Sequence, residues 1–277
     1  MELEKVIDRL QKNQREITKL LRLLYEISNL DQNRIENLLK IKHLLTKVLA
    51  TIDNNSQLFL YDLVDDLKTW ATEYQSTIKD TEKEIKNKIG SELSKELGKN
   101  GLSLSGHLPE LKVGLFVLEI DFDRWITKIW YGPKQENLTK CMLSVKEIAQ
   151  QIIKQKQEIG SKLDFEEFLE KLLKAYILSG GSVRGTPVSI IEVQKRLSDI
   201  LKENSASQNR IYTRADFSYD LFKLLRHKQS NLATVQVQLK VATRQFTRRR
   251  SDFLWVPDDE FGNGTTYSHL SVGGEIR

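Results

Sequence analysis

The chain has 277 residues, of which 39% are hydrophobic and 29% charged, and Cys141 is its single cysteine. One cysteine excludes a disulfide framework and a cysteine-rich zinc site, and it suits a reducing cytosol. No apolar run approaches the roughly 18 residues that a membrane span needs, so we expect a cytoplasmic protein without membrane contact. The length permits two domains, or one core with an extended helical arm.

Positive charge is concentrated in the last third of the chain. Residues 181–277 carry 15 Lys or Arg and 10 Asp or Glu, a balance of +5 that equals the formal charge of the whole chain. The first 180 residues carry 28 of each sign. Within the basic third, residues 221–251 contain eight Lys or Arg and no acid. Such a local excess attracts a polyanion.

Long amphipathic helices are predicted over residues 1–98. The first carries apolar residues at alternating steps of three and four, with Asn13 as the one polar member, in the order Leu3, Val6, Leu10, Asn13, Ile17, Leu20, Leu24 and Ile27. The same spacing of apolar residues resumes at Leu38 after a polar patch at 31–34, and a third helical pattern follows a polar turn at 53–57. This coiled-coil arm would pack on itself as a hairpin, on a second copy or on a partner protein.

A small antiparallel sheet followed by a helix is predicted over residues 99–160. After residue 98 the apolar period changes from 3.6 to 2, with strands expected near 102–104, 113–121 and 125–131. Ser144 and Glu147 have the spacing of a capping box and start the helix. The strand residues Phe116, Leu118 and Ile129 are expected in the core.

Three carboxylates at the end of the second of these strands raise the possibility of a metal site. Glu119, Asp121 and Asp123 stand at alternate positions, so a regular strand would place them on one face, as a hard cation requires. Lys128 on the next strand would then complete a metal-dependent nuclease. The competing interpretation is a solvated strand face that ends in an acidic turn.

A winged-helix-like basic module is predicted over residues 161–257. Helix starts are expected at Asp164, Pro187 and Thr213, and Phe217 to Lys228 would take the third-helix position. Strands at 235–241 and 253–256 would form a hairpin with an Arg-rich tip. Residues 258–277 contain four glycines and are expected to form a flexible tail, or a strand at a partner surface.

The expected fold class is therefore α+β and mostly α. The candidate nucleic-acid-binding residues are the basic side chains that this module would present to solvent, from the third helix through the first strand to the wing tip: Lys223, Arg226, Lys228, Lys240, Arg244, Arg248, Arg249 and Arg250. Exposed Lys and Arg neutralise phosphates, and a helix and a wing can follow a groove and the backbone of DNA. Protein docking through the same module is the alternative.

No sequence motif indicates catalysis or a cofactor. The four histidines, His43, His107, His227 and His269, stand in unrelated contexts, so no Ser/His/Asp, Cys/His or zinc arrangement is recognisable, and we expect no cofactor. In architecture alone, a helical arm before a winged helix resembles the non-ATPase subunits of SMC-type and related ATPase machines, including those of bacterial defence complexes. The sequence favours a non-enzymatic DNA-binding adaptor over a purely protein-docking accessory subunit and over a metal-dependent nuclease.

Overall fold

The computed structural model describes residues 3–54, 61–182, 185–204, 211–228 and 236–273. The protein is mostly helical and contains antiparallel sheet, so the predicted α+β class is confirmed. The chain divides into two compact units, residues 1–92 and 93–277, with the division inside the third helix. No helix within the described ranges combines the length and apolarity that crossing a bilayer requires.

The first unit is formed by three helices: α1 (Leu3–Asp31), α2 (Arg34–Asn54) and the greater part of α3 (Tyr61–Gly98). A two-residue turn separates α1 from α2 inside the polar patch at 31–34. The Asp31 carboxylate accepts hydrogen bonds from Arg34 Nε at 2.6 Å and Nη2 at 2.8 Å, and from Tyr74 Oη at 2.5 Å. These bonds hold the pKa of Asp31 below its usual value, the Arg34 contact contributing most. The second predicted turn begins where α2 ends, and residues 55–57 lie outside the described ranges.

The buried positions of the first unit follow the predicted helical period on α2 and α3. Leu38, Ile41 and Val48 on α2 and Ala71 on α3 are fully inaccessible. Ion pairs also join the two helices, from Lys42 to Glu82 at 2.5 Å and from Lys68 to Asp53 at 3.5 Å. On α1 only the C-terminal half of the predicted apolar seam is buried, because Leu20 and Ile27 are inaccessible whereas Leu3 and Leu10 are exposed.

The second unit begins with a five-stranded antiparallel meander in which each strand pairs with the next along the chain. Its elements are β1 (Leu104–His107), β2 (Glu110–Val113), β3 (Phe116–Asp121), β4 (Ile126–Tyr131), β5 (Glu136–Met142) and the following helix α4 (Val145–Glu158). One face of the sheet buries Leu118, Ile129 and Tyr131, as the alternation of the sequence predicts.

The remainder of the second unit packs helices against a second antiparallel sheet. Its elements are α5 (Phe165–Leu178), β6 (Val188–Ser189), α6 (Ile190–Asn204), α7 (Arg214–Lys228), β7 (Gln236–Val241), β8 (Leu254–Pro257) and β9 (Gly264–Gly273). Strand β9 lies between β6 and β7 and also pairs with β8. Because Tyr267 pairs with both Val241 and Leu254, β7 and β8 lie on opposite edges of β9 at that point.

Two expectations for this region differ from the structure. The strands predicted at 235–241 and 253–256 do not pair with each other, because β9 separates them. The segment expected as a flexible tail contains β9, the longest strand of the described residues. Its alternation is present in the sequence, with Leu270 and Val272 buried and His269 and Ser271 half-buried on the other face, but flanking glycines, serines and threonines dilute the apolar signal.

Candidate nucleic-acid interface

Helix α7 covers the segment 217–228 that is predicted as the third helix of the module, and its first turn is capped from two directions. Thr213 Oγ1 lies 3.4 Å from the backbone N–H of Asp216, whose carboxylate accepts from Thr213 N at 2.9 Å. These contacts form the predicted capping box. The backbone N–H of Ala215 donates to Glu136 Oε2 at 2.8 Å. The start of α7 is therefore attached to strand β5.

The first two turns of α7 are buried on more than one side. Phe217 and Leu221 enter the core formed with α5, α6 and the second sheet, as the sequence predicts. Polar residues of the same turns are buried as well: Ser218 is inaccessible, and its hydroxyl donates to the backbone O of Trp255 at 2.6 Å and contacts Tyr131 Oη at 3.2 Å. Strands β4 and β8 thus cover the face that a free recognition helix would leave open.

Two buried aspartates extend this packing to the loop after α4. Asp216 Oδ1 accepts from the backbone N–H of Gly160 at 2.8 Å, and Asp220 Oδ2 accepts from that of Ser161 at 2.7 Å. Asp220 Oδ2 also accepts from the Tyr212 hydroxyl at 2.9 Å. Burial raises the pKa of Asp220 despite these hydrogen bonds. Because this network fixes the N-terminal half of α7, that half cannot enter a DNA groove in this conformation.

The exposed cations at the end of α7 have partners on the protein. Lys223 Nζ lies 3.8 Å from Asp220 Oδ1 and 5.1 Å from the centre of the Tyr219 ring. Arg226 Nη1 lies 2.5 Å from Glu260 Oε1, and the guanidinium stands over the Phe222 ring at 5.3 Å. Lys228 is the last residue of α7, and its side chain lies outside the description. Of the candidate residues on α7, Lys223 and Arg226 therefore have their charge compensated locally.

The candidate cations after α7 are arranged differently. Lys240 on β7 and Arg244, Arg248 and Arg249 in the segment that follows are all exposed. None of these four has a carboxylate oxygen within ion-pair distance among the residues that the structure describes. Arg250 begins a short 3-10 turn, and its side chain is outside the description. We call Lys240, Arg244, Arg248 and Arg249 the wing cations.

The segment that carries the wing cations is folded onto the second sheet. The backbone N–H of Ala242 donates to Thr266 O at 2.8 Å, and Phe246 meets the His269 ring edge-on, with ring centres 5.1 Å apart. Short 3-10 turns at Phe246–Arg248 and Arg250–Asp252 shape the rest of the segment. Burial and the charge of Lys240 lower the pKa of His269. The arginines therefore lie on a folded surface beside β7 instead of at the tip of a two-stranded hairpin.

The acidic residues at β3 are engaged by the protein itself. Glu119 lies 2.8 Å from Lys128 Nζ and 3.0 Å from Lys134 Nζ, and these contacts lower its pKa to about 2. Asp121 Oδ1 accepts from the backbone N–H groups of Asp123 and Arg124. No cluster of three or more potential metal ligands occurs within the described residues. The arrangement fits an ion-paired strand face and a capped turn, and it does not fit the proposed nuclease centre.

Glu260 is the residue of this surface that the sequence reading missed. The basic stretch 221–251 is followed within ten residues by four acids, Asp252, Asp258, Asp259 and Glu260. Asp259 accepts hydrogen bonds from Phe261 N at 2.8 Å and Asn263 N at 3.1 Å. The loop is thereby held in the conformation that brings Glu260 to Arg226.

No protein family, curated protein or solved structure matches this chain.

Proposed function

We propose that this protein is a non-enzymatic, DNA-binding adaptor whose C-terminal module contacts the nucleic acid and whose N-terminal helices dock a partner or a second copy. The observation that carries the proposal is the set of four wing cations, which are exposed and lack acidic neighbours among the described residues. Such groups release counterions when they meet phosphates, which favours binding to a polyanion such as DNA.

The order of elements supports a winged-helix interpretation of the module. The chain order is helix α5, strand β6, helices α6 and α7, and then strands β7, β8 and β9. In the sheet, β9 lies between β6 and β7. In this interpretation residues 242–263 are the wing, enlarged by β8. The wing cations then contact the sugar-phosphate backbone, while the buried start of α7 is withheld from the bases. Binding should accordingly depend strongly on salt and little on sequence.

The test is duplex-DNA binding by the full chain at low and moderate salt. Replacement of Arg248, Arg249 and Arg250 by Ala should weaken binding severalfold and flatten its salt dependence, because phosphate contacts are lost. A matched control removes three exposed lysines from other surfaces of the same unit, by substitution of Lys146, Lys156 and Lys174 with Ala. Equal affinities of the two folded variants would refute the proposed interface.

Protein docking through the same module is the second candidate function. It is favoured by the packing of α7 against β4, β5 and β8, which removes the element that reads DNA bases in winged helices. In that case the module belongs to a purely protein-docking accessory subunit of an SMC-type or defence complex. The full chain would then show no salt-dependent affinity for DNA or RNA even at low ionic strength.

A further inference from the structure

An apolar stripe runs along the exposed side of α1. Successive helix residues rotate by about 100°, so residues at steps of three and four share one side, and here they span an arc of about 80°. We call this set the α1 stripe, and its members are Leu3, Ile7, Leu10, Gln14, Ile17, Leu21 and Tyr25. The side chains of Leu3, Leu10 and Tyr25 are 74%, 63% and 69% exposed.

The stripe is separate from the face through which α1 packs in its own unit. Leu20 and Ile27 point inward and are almost inaccessible, whereas Leu21 beside Leu20 is 49% exposed. The chain therefore satisfies one side of α1 and leaves a second apolar side without a cover among the described residues. Contiguous apolar surface of this kind on a soluble protein marks an interaction site.

The exposed area suits a protein interface of ordinary size. From the exposed fractions of its six apolar members, the stripe offers on the order of 600 Å² per chain, so two stripes together reach the roughly 1,200 Å² at the lower limit of specific interfaces. A single stripe against a flat polar surface would bury about half of that apolar area. A partner that brings an equivalent stripe therefore makes the whole contact apolar.

The order of residues makes the stripe complementary to itself in the antiparallel direction. Gln14 is its centre, and apolar residues stand four and seven positions before it and three and seven positions after it. A twofold axis at Gln14 places Leu10 beside Ile17 of the second copy, and Ile7 beside Leu21. It also places the two Gln14 amides together, and an amide has both a donor and an acceptor for its copy.

Two of the charges that border the stripe complement one another in the same arrangement, whereas Arg15 on that border would lie near Arg15 of the second copy. Glu4 and Arg22 are both exposed and stand at the same angle around the helix, near opposite ends of the stripe. An antiparallel pair brings Glu4 of each chain toward Arg22 of the other, and this repeats on both sides of the axis. A parallel pair would instead place residues of equal height together, which separates Glu4 from Arg22 by several helical turns.

We propose that the partner of the α1 stripe is the same stripe of a second copy of this chain, paired antiparallel about Gln14. The inference rests on the adaptor part of the proposed function, since it names the partner of the N-terminal helices, and it does not depend on DNA binding. Two basic modules per assembly then follow from one helical contact.

The first test is the mass of the full chain in solution at micromolar concentrations, by light scattering or sedimentation. We expect twice the chain mass, and Leu10→Lys should weaken self-association by at least tenfold by placing a charge in the contact. Leu178→Lys is the matched control, because Leu178 is a similarly exposed leucine, 57% accessible, on α5. A monomeric wild type, or a Leu10→Lys variant as dimeric as the control, would overturn the proposal.

The second test fixes the direction and does not depend on how Leu10→Lys folds. Gln14→Cys should form an intermolecular disulfide on mild oxidation, whereas Leu3→Cys alone should not, and the combination of Leu3→Cys with Tyr25→Cys should. The wild-type chain, in which Cys141 is buried, is the negative control for cross-linking. Efficient cross-linking of Leu3→Cys alone would indicate parallel pairing and overturn the proposal. DNA affinity of the same variants is measured separately, so that loss of dimer and loss of DNA binding are distinguished.

Discussion

Arg226 on α7 and Glu260 in the loop before β9 form an ion pair, with Nη1 2.5 Å from Oε1. Both side chains are more than half exposed, so the pair contributes little to stability. Its effect is electrostatic, because an acid placed on this cation reduces its attraction for phosphate. The wing cations differ from Arg226 in that no such acid stands beside them among the described residues.

Replacement of Glu260 by Gln should strengthen DNA binding. The variant loses one negative charge and frees Arg226, so we expect at least about threefold higher affinity at low salt and a salt slope steeper by about one. Fluorescence anisotropy over a salt series measures both. Glu170→Gln makes the same charge change at an exposed position on α5, and equal effects of the two substitutions would assign the gain to net charge alone.

Replacement of Leu270 by Ala should destabilise the second unit strongly. Leu270 is fully buried at the centre of β9, and the cavity that is left costs about 2–5 kcal/mol in the free energy of unfolding. Urea denaturation of the full chain measures it. Phe261→Ala, in the loop just before β9 where Phe261 is 78% exposed, should be nearly neutral. If both substitutions left the free energy of unfolding unchanged, residues 258–277 would instead behave as the flexible tail that the sequence predicts.

Replacement of Ser218 by Ala tests the packing of α7 on the strands. The substitution removes the donor to the Trp255 carbonyl and the contact with Tyr131, and it should lower the free energy of unfolding by about 1–3 kcal/mol. Ser91→Ala makes the same change on an exposed part of α3 and should have little effect. Equal stabilities would mean that α7 is not held by this contact.

The pH dependence of stability should contain a contribution from Glu119. Its pKa in the folded protein is lowered to about 2 by Lys128 and Lys134, so its stabilisation is present above the pKa of the unfolded chain and is lost as pH falls toward 2. Glu119→Gln should therefore reduce the loss of stability between pH 5 and pH 2. A Glu119→Gln variant with the same pH profile as the wild type would contradict the ion-paired role.

Local signals in the sequence predict much of the fold. The polar patch at 31–34 predicts the break between α1 and α2, and the capping box of Thr213 and Asp216 predicts the start of α7. Long-range pairing leaves no comparable signal. The position of β9 between β7 and β8 depends on contacts between segments that are distant in the sequence. In addition, polar residues such as Ser271 and His269 in β9 are residue types that are also common in exposed turns.

For the candidate site, the sequence indicates which residues are basic but not which are compensated. Exposure of Lys240, Arg244, Arg248 and Arg249 agrees with the predicted surface, whereas Arg226 meets an acid 34 positions later in the chain. Burial of Ser218 and Asp220 is likewise not predictable from the sequence, because their partners lie on β4, on β8 and in the loop after α4. Polar residues on a helix predict solvent unless a second layer supplies hydrogen bonds.

The central claim is that the wing cations form a phosphate-binding surface, and its most direct test is the salt dependence of duplex-DNA affinity. The full chain is compared with a variant in which Lys240, Arg244, Arg248 and Arg249 are replaced by Ala. We predict that the logarithmic salt slope falls by about three to four, with random and unrelated duplexes affected alike. An unchanged slope in a folded variant, or no DNA affinity of the wild type at low salt, would contradict the claim.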